Sequence, residues 1–185
     1  MRMSRPRVAP LTDDELSEEQ RALLAQGRTG QMNIFRTLVR YPELYKSWMR
    51  FGNHVLAKST LDPREREIVI LRIGHLCDSG YEFHQHARIG KQVGLTDAEI
   101  AQIKEGPDAA GWADFDRTLL RAADELHRDK HLSDATWQAL SQRYRTEQLL
   151  DLIFAVGQYT LVSMALNSLG VQIEQPASAG KGEAR

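Results

Sequence analysis

Cysteine is almost missing from this chain: Cys77 is the only one in 185 residues. A single thiol excludes an intramolecular disulfide and any multi-cysteine zinc cage, and it makes redox work depend on a thiol from outside. Charge of one sign is missing as well. Lys and Arg number 24 against 25 Asp and Glu, so no net field selects nucleic acid, an anionic membrane or a polyanionic substrate. There is no phosphate loop, no dinucleotide fingerprint, no nucleic-acid module and no internal repeat, so the usual signs of a bound cofactor are absent. The start, MRMSRPRVAP, runs into polar TDDELSEEQ instead of an apolar stretch. No secretory signal is expected, and the chain reads as cytoplasmic.

Long apolar runs are scarce, with one exception. Leu149 to Val171 is about as long as a bilayer crossing. Asp151, Gln158 and Asn167 interrupt it and basic flanks are lacking. It is therefore expected to be a buried core helix and not a membrane span.

What the chain does contain is helix-capping chemistry. Ser17 and Gln20 form a capping box before a short helix expected to end at Gly27. Pro42 suits the first turn of a helix running through Trp48, Phe51 and Leu56, and Asp62-Pro63-Arg64-Glu65 repeats that logic. The β-branched run that follows, up to Cys77, is read as helix because of that cap and its length. Gly80 is taken as a break, with a second helix from Tyr81 to Val93 closed by Gly94. Thr96 with Glu99 caps another. Phe115, Leu119, Leu120, Ala123 and Leu126 recur at helical spacing, and Ser133 and Glu147 open the last two. The expectation is an all-α, single-domain helical bundle of seven or eight helices. Residues 1–10 form an extended arm, 11–173 the domain, and 174–185 a disordered tail.

Chemistry concentrates between Glu67 and His86. A carboxylate beside an Ile-Val-Ile-Leu run needs solvent or a partner. Glu82 and His86 lie four apart and so share one helix face, where a carboxylate can orient an imidazole and stabilise its protonated form. The same spacing also describes an ordinary surface pair. His84 points nearly opposite to His86 and is assigned to the surface. A metal held by Glu82, His86 and Glu67 is conceivable in a bundle, but the adopted reading has no metal and no cofactor. Cys77 is read as a core cysteine, with a reactive thiol as the alternative. The aromatics Tyr41, Trp48, Phe51, Trp112 and Trp137 could line a pocket, but at helical spacing they are read as core or subunit-interface residues.

These residues carry a family resemblance. Leu61 to Ile100, with RERE before an apolar run, YEF followed by QH, and the ending GLTDAEI, resembles the core of the carboxymuconolactone decarboxylase superfamily, which includes the alkylhydroperoxidase D-like proteins. The resemblance implies an all-helical bundle assembling as trimers or hexamers. In the peroxidase branch a glutamate is followed by Cys-x-x-Cys and then a histidine. Aligned on His86, the glutamate falls on Glu67 and the two cysteines on Ser79 and Glu82. Both sulfurs are missing, which removes the disulfide-forming mechanism.

The thiol-free branch implies a cofactor-independent lyase or isomerase acting on a small carboxylated lactone or related acid. Glu67, Glu82 and His86 would then be catalytic, with Ser79, Tyr81 and Arg72 against the substrate and Arg72 or Arg88 receiving its carboxylate. Two alternatives stand beside it: a peroxiredoxin-like reductase using Cys77 with an external thiol, and a non-enzymatic oligomer that binds a small molecule.

Overall fold

The computed structural model describes residues 3–25 and 28–174. The expected stop at Gly27 and residues 175–185 of the tail lie outside the described residues. Nine α-helices and no strand are present among them: α1 (Glu18–Leu24), α2 (Asn33–Leu38), α3 (Pro42–Asn53), α4 (Pro63–Leu76), α5 (Gly80–Gln92), α6 (Asp97–Ile103), α7 (Asp114–Asp129), α8 (Asp134–Ser141) and α9 (Thr146–Leu169). Eight of them are the helices expected from capping and periodicity. The ninth, α2, has six residues and no side-chain cap, so nothing local announces it.

The capping chemistry operates as read. Ser17 Oγ accepts from Gln20 N–H, the Asp62 carboxylate accepts from the amides of Arg64 and Glu65 ahead of Pro63, and Thr96 and Glu99 cap α6 reciprocally. α4 is the hub of the bundle and packs against α5, α7 and α9. Glu65 to Gly74 are all buried, which is why this helix lacks a polar face.

The break between α4 and α5 spans residues 77–79, and its reversal falls two residues before the expected Gly80. Gly80 is the first residue of α5, and the chain reverses at Asp78, whose φ of 50° places it in the left-handed region. Ser79 N–H donates to Gly74 C=O (2.8 Å) and Asp78 N–H to His75 C=O (2.9 Å), the two bonds of a Schellman ending. An aspartate fills the role that glycine usually takes.

Where the core runs into α9, the outcome is two-sided. The helix is long and apolar enough to cross a bilayer by length and composition. One face, including Leu152, Ala155, Val156, Val162 and Leu166, is buried in the bundle, while Leu150, Phe154, Leu161 and Met164 are exposed. The expectation of a core helix thus holds for the inward face alone, because α4, α5, α7 and α8 cover only that side. α3 continues into a π-helical turn, His54–Lys58. The turn is held to α9 by Asp151, which accepts from Thr60 N–H (2.6 Å) and meets His54 Nε2 at 3.1 Å.

Candidate functional site

Glu67 lies in the middle of α4, where side chains reach the core in every direction, and it is fully buried. α5 packs directly on α4 and turns Glu82 and His86 toward it. The imidazole sits between the two carboxylates: His86 Nδ1 is 2.6 Å from Glu67 Oε2, and Nε2 is 2.9 Å from Glu82 Oε1. The first contact is a well-formed hydrogen bond. The second is a close charge contact too poorly aligned to count as one, so Glu82 Oε1 is buried without a hydrogen-bond partner among the described residues. Arg66 Nε donates to the other Glu67 oxygen at 3.3 Å.

Burial alone would lower the pKa of His86, but the charges of Glu82 and Glu67 outweigh it and raise it to about 10. At neutral pH the ring is an imidazolium with both N–H groups facing carboxylates. Neither nitrogen keeps a lone pair free for a metal, and among the described residues no cluster of three or more His, Cys, Asp and Glu side chains has the geometry to hold one.

A cavity of about 330 Å³ opens on the Glu82 side of this clamp. Tyr81, Glu82, Gln85 and His86 form its polar wall; Ile34, Phe35, Trp48, Met49 and Val162 form much of the rest, with Gln158 and Tyr159 from α9. The Tyr159 ring meets His86 edge to face at 4.8 Å, and burial pushes its hydroxyl pKa well up, so the phenol stays neutral. Trp48 Nε1 and Gln158 Oε1 are further buried polar atoms without a partner among the described residues. A second, almost wholly apolar cavity of about 340 Å³ lies beyond them, sharing Ile34, Trp48, Gln158 and Val162.

Of the six expected site residues, the structure brings Glu67, Glu82 and His86 into one contact network and puts Tyr81 on the cavity wall. Ser79 is buried under the α4–α5 turn, away from the cavity lining, with its hydroxyl unpartnered among the described residues. The expectation for Arg72 is corrected. Its guanidinium is bound at two points by Asp124 (2.6 and 2.9 Å) and donates to the carbonyls of Ile103 and Lys104, tying α4 to α7 and to the end of α6. Arg88 is exposed and lines no part of the cavity. Among the described residues, no lysine or arginine does. His84 is exposed, as expected from its spacing. Cys77 lies outside the cavity lining too, with Sγ 3.8 Å from His127 Nδ1.

Several site residues were not singled out by sequence. Gln85 was discoverable, since it lies four residues after Tyr81 and so shares its helix face. Gln158, seen in sequence only as an interruption of an apolar run, reaches the cavity with Tyr159 from α9, and Glu174 reaches the same wall by accepting from the Tyr81 hydroxyl and Gln85 Nε2.

Residues 42–125 match the Carboxymuconolactone decarboxylase family. No curated protein matches the chain in sequence. Among solved structures, the fold is similar to the alkylhydroperoxidase AhpD core of an uncharacterized peroxidase-related protein from Ralstonia eutropha JMP134 (TM-score 0.77, 18% identity, covering 92% of this chain and 94% of that one). It is also similar to a putative antioxidant defence protein AhpD of unknown function from Agrobacterium tumefaciens (TM-score 0.68, 17% identity, 74% and 94% covered). A third similar structure is a cysteine-to-alanine variant of the debrominase Bmp8 in complex with 2,3,4-tribromopyrrole (TM-score 0.76, 12% identity, 92% and 93% covered). At these identities the structural likeness establishes the fold. The carboxymuconolactone decarboxylase match thus spans α3 to most of α7, and the chain has an AhpD-like all-α fold.

Proposed function

We propose that the protein is a cofactor-independent acid–base enzyme, a lyase or isomerase, acting on a small carboxylated lactone or related oxygenated acid in the cavity beside Glu82 and His86. The observation that carries this reading is the buried imidazole held between two carboxylates, 2.6 Å from Glu67 and 2.9 Å from Glu82, at the polar wall of an otherwise apolar cavity. Such a group is a proton donor already charged and oriented before substrate arrives.

In a decarboxylation, the bond between the substrate carbon and its carboxylate breaks. The electron pair moves into an adjoining carbonyl as an enolate and carbon dioxide leaves. The His86 imidazolium then supplies the proton for the new C–H bond, and water reprotonates the neutral ring. Its positive charge, set in an apolar surrounding, stabilises the enolate as it forms. In an isomerisation, the Glu82 carboxylate takes a C–H proton and His86 returns one at the neighbouring carbon. Glu67 holds the ring from behind and fixes which nitrogen faces the cavity.

The test is proton NMR in deuterated water with a panel of carboxylated γ-lactones and β-keto acids. The protein is expected to release carbon dioxide from, or place deuterium into, at least one of them. His86→Asn should lose about 100-fold or more of that rate, whereas Cys77→Ser should retain it. Unchanged turnover in the histidine variant would sink the acid–base reading. Loss in the cysteine variant would move the chemistry to the thiol beside His127.

The same reading includes self-association. Leu150, Phe154, Leu161 and Met164, joined by Phe51 against Phe154 (6.0 Å between rings), form an exposed apolar stripe of the kind that subunit contacts cover. Light scattering is expected to give a trimer or hexamer, and Phe154→Glu to shift it to smaller species. A monomeric wild type would remove this part of the proposal.

A further inference from the structure

The cavity wall has donors for an acid group, yet among the described residues no basic side chain lines it except His86. After Gly170 the chain runs without regular structure through residues 171–174 and returns past α5 to the start of α2. Asn33 Nδ2 donates to Gln172 C=O (2.9 Å), and Gln172 Nε2 to Met3 C=O (3.2 Å). At its end, the Glu174 carboxylate is taken up completely. Oε1 accepts from Asn33 N–H (2.6 Å) and from the Tyr81 hydroxyl (2.6 Å), and Oε2 accepts from Gln85 Nε2 (2.5 Å). Tyr81 and Gln85 are themselves buried. Burial and the Glu174 charge together raise the Tyr81 pKa, which keeps the phenol a donor.

Three neutral donors thus converge on both oxygens of one carboxylate. Two of them stand on α5 at positions 81 and 85, alongside the catalytic stripe at 82 and 86, and all four residues line the same cavity. The donors belong to the body of the bundle, while the acceptor belongs to an irregular strap anchored by Val171 and Ile173 against the core and by Gln172 to Asn33 and Met3, so that the Glu174 side chain and its immediate backbone are what a ligand displaces. We infer that Asn33 N–H, Tyr81 and Gln85 form a carboxylate-binding subsite, filled in the resting protein by Glu174 of the same chain and taken over by the carboxylate of a small acid ligand. The inference rests on the proposed function for the class of ligand and supplies the acid recognition that Arg72 does not.

Exchange of one carboxylate for another leaves the charge at this point unchanged. Without displacement, an acid ligand would add a second anion beside Glu82 in an apolar enclosure. The strap is tethered, so Glu174 competes at a high effective concentration and its removal should strengthen ligand binding.

The experiment is calorimetric titration of the full chain with benzoate, and with benzamide as its uncharged counterpart. Glu174→Ala is expected to bind benzoate about tenfold or more tightly than wild type, with benzamide unchanged. Adding Tyr81→Phe and Gln85→Ala to that variant should abolish the gain. Glu174→Gln, which preserves the shape of the strap, should show a smaller gain in the same direction and covers the case in which the alanine variant folds poorly. In nitrogen-correlated NMR of the wild type, saturating benzoate should shift the Asn33 amide, the Gln85 side-chain amide and residues 171–174 together.

The inference is overturned if removing the Glu174 charge leaves benzoate affinity unchanged, if benzamide gains equally, or if benzoate binds the wild type without moving residues 171–174. These readouts involve no turnover, so a failure of the acid–base reading at His86 would leave them standing, and their failure would not touch that reading.

Discussion

Replacing His86 by leucine is expected to destabilise the fold by about 3–5 kcal/mol at neutral pH, the cost of removing one member of a buried charged group and leaving the others unpaired. The ring is the only positive charge between Glu67, which is fully buried, and Glu82, which is nearly so. Without it two carboxylates face each other across a space lined by apolar side chains, and Arg66 reaches only one of them, at 3.3 Å. Acid should repair the variant, because protons delivered to either carboxylate remove the repulsion. Denaturant titrations of the leucine variant should therefore show stability rising from pH 7 to pH 5. A loss under 1 kcal/mol, or a variant insensitive to acid, would mean that solvent reaches the pair and the charges are not confined.

The wild type should respond to pH in a different range, on the alkaline side. The folded-state pKa of His86 is raised to about 10, above the ordinary value of roughly 6.5 that the unfolded chain has. A raised histidine contributes stability that is fully present below the unfolded value and is lost as pH rises through the folded one. Unfolding free energy should accordingly fall by a few kcal/mol between about pH 6.5 and 10, and the fall should be absent from the leucine variant. The tyrosines do not blur this window. Tyr81, Tyr144 and Tyr159 are raised above the ordinary phenol value, by burial first and by neighbouring carboxylates second. Their contribution starts to drop only where unfolded tyrosine ionises, near pH 10. A flat profile between pH 7 and 9 would contradict the clamp.

How much of this was legible beforehand follows from the range of the interactions involved. Helices announced by their own ends, such as α1 at Ser17, α4 at Asp62-Pro63 and α6 at Thr96, were readable because capping is settled within three residues. The α4–α5 break was displaced because Gly80 attracted a reversal that Asp78 performs. Glycine is the usual choice for the left-handed region but not the only one. Within the site, Glu82 and His86 were visible from their spacing, and Glu67 from its place beside an apolar run as well as from the family pattern. Arg72 was misjudged for a physical reason: an arginine beside a site resembles a ligand for anions until its partner is known. That partner, Asp124, lies 52 residues away. Gln158 and Glu174 belong to the same class of long-range placement, which no local pattern encodes.

The clamp on His86 also has an inner and an outer side. The Nδ1 proton lies in a 2.6 Å bond to a carboxylate with no solvent exposure, whereas Nε2 faces Glu82 and the cavity. Exchange of the inner proton with water requires the α4–α5 contact to open, and exchange of the outer one requires only that the cavity be wet. In a hydrogen-exchange measurement the two N–H groups of a single imidazole should consequently have very different lifetimes, the inner surviving long enough to be seen as a far-downfield resonance at ambient temperature. The ring would then pass protons through one nitrogen only, with the other serving as its fixed mounting.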